Sequence, residues 1–134
     1  MKYLNLLALV GSLALVFSGC GSNSPNEIEE FVSANNLAGE YWFVGSDNCD
    51  SVTESSPTSG AIRFVWQGDR WAYTGIFGIQ NTFLITRLTE TEIDYTVTGN
   101  HSFSDPNRSS NYVIEGQLLK LYNGSACESY IKQN

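Results

Sequence analysis

From Gly39 onward the chain runs in short stretches whose apolar and polar positions alternate, separated by Gly, Asn, Asp and Ser. The stretches are EYWFVGS (40–46), AIRFVWQ (61–67), RWAYTGIF (70–77), TFLITRL (82–88), EIDYTVTG (92–99), NYVIEG (111–116), QLLKLY (117–122) and ACESYIK (126–132). Their period of two and their wealth of β-branched and aromatic residues predict eight strands. The segment before them, SPNEIEEFVSANN, follows a different rule. Ser24 suits an N-cap, Glu27 stands three residues on, and Pro25 takes the first helical position, a coherent helix start. Ile28, Phe31 and Val32 then share one helical face. A short helix is expected, ending near Asn35–Asn36 and lying across one end of the strands.

The connections set the topology. Gly68–Asp69, Gly116–Gln117 and Asn123–Gly124 are plausible tight hairpin turns, and GIQN (78–81) and TETE (89–92) are short enough to join neighbours. Only residues 46–60 and 100–110 form long linkers. Tight links join antiparallel neighbours, whereas parallel strands require crossovers, so the pattern is an antiparallel meander. Eight such strands can close into an up-and-down barrel and remove the exposed edges; an open two-sheet sandwich is the competing arrangement. With a short helix followed by Gly39-x-Tyr41-Trp42 entering the first strand, residues 39–134 resemble the lipocalin-like small β-barrels, in which a Gly-x-Trp occupies this place. The fold class that follows is all-β, an eight-stranded antiparallel barrel with a short N-terminal helix.

Ahead of the helix, Lys2 is followed by the uncharged run YLNLLALVGSLALVF (3–17), laid out as a secretory signal peptide. It is shorter than the roughly 20 apolar residues a membrane span needs. Ser18-Gly19-Cys20 closing this run resembles the lipobox of bacterial lipoproteins, with Phe17 where the family usually has Leu. The resemblance implies cleavage after residue 19 and acylation of Cys20, a membrane anchor made firm by several acyl chains. Gly21 after the cysteine, by the same resemblance, implies the outer membrane and a domain facing the periplasm. The chain thus divides into a leader (1–19), an anchor, tether and helix (20–38), and a barrel (39–134).

Cys20 to Asn134 leaves 115 residues, enough for one domain with one modest core. Losing Lys2 with the leader takes the formal charge from -7 to -8. Such a surface lacks the basic footprint that nucleic acid requires and suits cationic partners as well as plain solubility. With Cys20 given to lipid, Cys49 and Cys127 remain as a pair for an oxidising compartment. A bridge between them would close most of the domain and contribute on the order of 4 kcal/mol in the chain-entropy model.

Catalytic signals are thin. His101 is the sole imidazole, set in a loop with Ser102, Ser104 and Asp105, residue types common in turns, so a nucleophilic triad has no evident base. Asp47, Asn48, Asp50 and Glu54 offer oxygen ligands for a hard cation but lack the spacing and glycine of an EF-hand, and no metal or cofactor is expected. Asp94 and Glu115 fall on neighbouring strands, the arrangement a carboxylate pair for glycoside chemistry would need.

The aromatic content is the stronger signal. At alternate positions Phe64, Trp66, Trp71, Tyr73, Phe83, Tyr95 and Tyr112 share one face, with Arg63, Asp94, Thr96 and Thr98 on the other. If the barrel is open inside, the first six of these rings line a cavity for a small apolar ligand or lipid. If it is filled, they are core, since eight strands enclose just enough room for side chains. Either way the expected protein is non-catalytic. A second reading is a protein-binding module: SGAIRF (59–64) resembles the Ser-Gly-Ala-Arg-Tyr signature of small lipoprotein barrels that inhibit lysozyme, which implies a cationic protein partner.

Overall fold

The computed structural model describes residues 21–46, 48–78, 80–98 and 106–134. The leader, Cys20, Asp47 and the 99–105 segment with His101, Ser102, Ser104 and Asp105 lie outside the described residues. The elements are α1 (Pro25–Ala34), β1 (Gly39–Ser46), a 3-10 turn (Cys49–Ser51), β2 (Arg63–Gln67), β3 (Arg70–Thr74), β4 (Gln80–Leu88), β5 (Glu92–Thr98), β6 (Asn107–Glu115), β7 (Leu118–Asn123) and β8 (Ala126–Lys132).

The strands pair in sequence order, every neighbour antiparallel, and β8 returns to β1 to close the barrel. Closure removes the open edges that a sandwich would have kept. The hairpins at Gly68–Asp69 and Gly116–Gln117 are two-residue loops with the expected partners, Gln67 opposite Arg70 and Glu115 opposite Leu118. Gly116 adopts a φ of 63°, a left-handed conformation that glycine reaches without steric cost.

α1 forms as its sequence requires. The Ser24 amide donates to Glu27 Oε2 at 2.7 Å, and Ser24 Oγ accepts from the Glu27 amide at 3.3 Å, a reciprocal capping box. Ile28 and Val32, both buried, point into the barrel end together with Leu37, against Tyr41, Trp66, Ile85, Leu88 and Ile93. Just before the helix, Asn23 repairs an irregularity in β4, where a bulge between Ile85 and Arg87 breaks the ladder. The Asn23 amide donates to the Thr86 carbonyl and its Oδ1 accepts from the Leu88 amide. The tether is thereby sewn to the barrel, and this end is closed.

Several strand boundaries differ from expectation: β2 starts at Arg63 rather than 61, and the last hairpin turns at Gly124–Ser125, with Asn123 opposite Ala126. β3 stops at Thr74, which pairs with Gln80, so Gly75–Gly78 form the turn and expose Ile76 and Phe77, 65 % and 87 % accessible. The expected turn at GIQN therefore shifts toward the N-terminus, and Gln80 and Asn81 belong to β4. β6 begins at Asn107 rather than 111, its polar start held to β5 by ladder bonds and by the Ser109 hydroxyl donating to Asp94 Oδ1 at 2.7 Å. Polar residues there satisfy a strand without an apolar alternation to betray it.

The segment after β1 lies across the outer face of β7 and β8. Cys49 and Cys127 form the disulfide, 78 residues apart in sequence, with Cα atoms 6.1 Å apart. Ser129, fully buried, donates its hydroxyl to Cys49 Sγ. Glu54 accepts a hydrogen bond from the Gln117 amide. Leu118, Lys120, Cys127 and Ile131 are buried on this outer face. The Lys120 ammonium reaches Glu115 at 2.9 Å, which keeps its charge paired as its stem is covered.

Candidate functional site

Strand alternation sends Tyr41, Phe64, Trp66, Trp71, Tyr73, Phe83, Tyr95, Tyr112 and Tyr130 into the barrel. Their rings interlock: Tyr41 stacks on Phe64 at 4.8 Å, Phe64 meets Trp71 at 5.1 Å, Trp71 meets Tyr95 at 5.2 Å, and Phe83 stands edge-on to Tyr95 at 5.5 Å. Such offset and edge-to-face pairs are the favoured aromatic geometries. The half toward α1 is filled, and in the other half the described residues leave space.

In that other half lies a cavity of about 190 Å³, lined by Phe64, Trp71, Tyr73, Asn81, Phe83, Tyr95, Leu121, Glu128 and Tyr130. Buried Phe64 and Trp71 form its floor, with half-buried Tyr73, Asn81, Phe83 and Tyr95 and exposed Glu128 nearer the mouth. Five of the six rings expected to contact a ligand are therefore brought together. Trp66 is the exception. It sits one layer deeper, 1 % accessible, 5.2 Å from Trp71, with its indole N–H donated to the Gly68 carbonyl at 3.0 Å. Trp66 belongs to the closed end and does not line the cavity. The interior is thus partly filled and partly open, between the two arrangements expected from the sequence.

The alternation of β4, β7 and β8 adds four lining residues beyond the expected rings: Asn81, Leu121, Glu128 and Tyr130. In ACESYIK, Cys127, Ser129 and Ile131 face outward beneath the segment after β1, which leaves Glu128 and Tyr130 inside. The alternation was visible, but its sense depends on what covers the outer face. Tyr130 donates its hydroxyl to Glu128 Oε2 at 2.8 Å. Burial raises the Tyr130 phenol well above the ordinary tyrosine range, with the Glu128 charge and hydrogen bond adding to it. Tyr73 is raised too, by burial first and by Glu128 second. Two polar atoms of lining residues, Trp71 Nε1 and Asn81 Oδ1, are buried without a hydrogen-bond partner among the described residues.

The remaining candidates sit elsewhere. Asp94 and Glu115 lie on the outer face six residues apart along the β5–β6 register, about 20 Å at 3.3 Å per residue. Each is tied to a cation, Asp94 to Arg87 at 3.4 Å and Glu115 to Lys120 at 2.9 Å, so they do not form a catalytic pair. Among the described residues no group of three or more His, Cys, Asp or Glu side chains converges to hold a metal ion; Glu54 is engaged with Gln117. In SGAIRF, Phe64 points inward, while Arg63 lies over the Trp42 ring at 5.4 Å and pairs with Glu40 at 3.3 Å. Signature-like residues are thus divided between the two faces of β2. No helix among the described residues is long and apolar enough to cross a membrane.

Compared with protein-family models, curated proteins and solved structures, the chain matches none.

Proposed function

We propose that this protein is a non-catalytic binding barrel that takes one ring-sized, largely apolar group into its mouth cavity. We further propose that an acylated Cys20 holds it at a bacterial outer membrane with the barrel in the periplasm. The observation that supports the binding reading is the unfilled aromatic half of the barrel beside a packed one. A fold needing only a core would favour filling that space, since empty volume forfeits contact energy. At about 190 Å³ the cavity is smaller than the roughly 300–1,000 Å³ of pockets that engulf a drug-sized molecule. It suits one ring or a short chain, and a long acyl chain exceeds it.

Two experiments test this. Titration with 2-phenylethanol, followed by calorimetry, is expected to saturate at one molecule per chain, and Tyr73→Ala is expected to weaken it at least tenfold. Absence of saturable binding by this alcohol and by an amine and a carboxylate of matched shape, or binding indifferent to Tyr73→Ala, would remove the cavity from consideration. For the anchor, Cys20→Ser is expected to move the protein from the membrane fraction to the soluble one; an unchanged distribution refutes it.

A further inference from the structure

Among the described residues that line the cavity, the one ionisable acid or base that is charged at neutral pH is a carboxylate. Glu128 brings a carboxylate to the lining, and among the described lining residues none is Lys, Arg or His. Arg108, across the ladder from Tyr95 and on the same face of the sheet, is not among the described residues that line the cavity. Asn81 adds a buried amide oxygen with no partner among the described residues, an acceptor that waits for a donor. Around these stand the faces and edges of Phe64, Trp71, Tyr73, Phe83, Tyr95 and Tyr130, whose quadrupoles attract a cation over the ring. A carboxylate at the mouth and an acceptor oxygen beside aromatic rings favour an ammonium and disfavour an anion. The upward push that Glu128 exerts on the Tyr73 and Tyr130 phenols reflects the same negative field.

Resting on the cavity reading above, we infer that the ligand is a small organic amine bound as its cation. Its ammonium sits at Glu128 and Asn81 near the mouth, and its apolar part lies against Trp71, Phe83 and Tyr95. The net negative charge of the chain, -7, draws the same class of ligand toward the mouth.

The test compares three probes of matched shape on the purified protein at pH 7.5 and low salt: phenethylamine, 2-phenylethanol and 3-phenylpropanoate. Phenethylamine is expected to bind at least tenfold tighter than the neutral alcohol, and the carboxylate at least tenfold weaker. Glu128→Gln, which keeps an acceptor for the Tyr130 hydroxyl, is expected to collapse the amine-to-alcohol ratio toward one. Raising ionic strength should shrink the ratio in the unaltered protein, a readout that needs no variant. Equal binding of amine and alcohol overturns the cation inference and leaves the cavity reading standing. Failure of all three probes to bind overturns both. A ratio that survives Glu128→Gln overturns the role given to that carboxylate.

Discussion

Two phenols at the closed end of the barrel, Tyr41 and Tyr112, should each make stability fall as the pH rises through 10 to 12. Tyr41 donates its phenol to the Leu37 carbonyl at 2.7 Å, and Tyr112 donates to the Thr89 carbonyl. Both rings are buried, and burial pushes both phenols up from 10.0 to about 12, with the Glu90 charge adding at Tyr112. In the unfolded chain each ionises near 10, so above that pH the native state holds more protons than the unfolded one and stability falls as pH rises. At about 1.4 kcal/mol per pH unit, each tyrosine costs about 1 kcal/mol of stability by pH 11, and the pair about 2 to 3. Tyr41→Phe removes this liability along with a hydrogen bond worth about 1 kcal/mol. In urea titrations at pH 8 and pH 11, the variant is therefore expected to be about 1 kcal/mol less stable than the parent at pH 8 and nearly equal at pH 11. The double variant with Tyr112→Phe should show about twice that convergence. The other tyrosines titrate alike in parent and variant and cancel in the difference. A stability gap that stays constant between the two pH values would refute the argument that these phenols are held protonated by the fold.

Three further outcomes follow from the packing. Replacing Cys49 and Cys127 by Ser together should lower stability by about 2–4 kcal/mol, read as a urea midpoint that no longer responds to reductant; a midpoint equal to the parent's would show the bridge to be idle. Ile28→Ala, on the helix that plugs the barrel, should cost about 2–5 kcal/mol, and a loss under 1 kcal/mol would mean that α1 is not integral to the core. Gly116→Ala should cost more than Gly124→Ala in the same assay. Both positions have left-handed φ, which costs a side-chain-bearing residue about 1–2 kcal/mol, but a Cβ at 116 also displaces the Glu54 carboxylate that accepts from the Gln117 amide, whereas one at 124 meets open space. Equal losses would contradict the placement of Glu54 over that hairpin.

Much of this architecture is local and was therefore legible in the chain. The helix start at Ser24-Pro25-x-Glu27, the two-residue hairpins at Gly68 and Gly116, and the inward set Phe64, Trp71, Tyr73, Phe83 and Tyr95 each depend on residues a few positions apart or on a period of two. That the meander closes, rather than folding over as a sandwich, depends on β8 reaching β1, a long-range pairing no local pattern encodes. The same is true of the cavity. Whether Trp66 lines it or lies beneath it depends on how deep α1 inserts Ile28 and Val32. Glu128 and Tyr130 face inward because the segment held by Cys49 and Glu54 covers Ser129 and Ile131 on the other side of the strand. Alternation by itself tells which residues share a face, and only the three-dimensional packing decides which face is the inside.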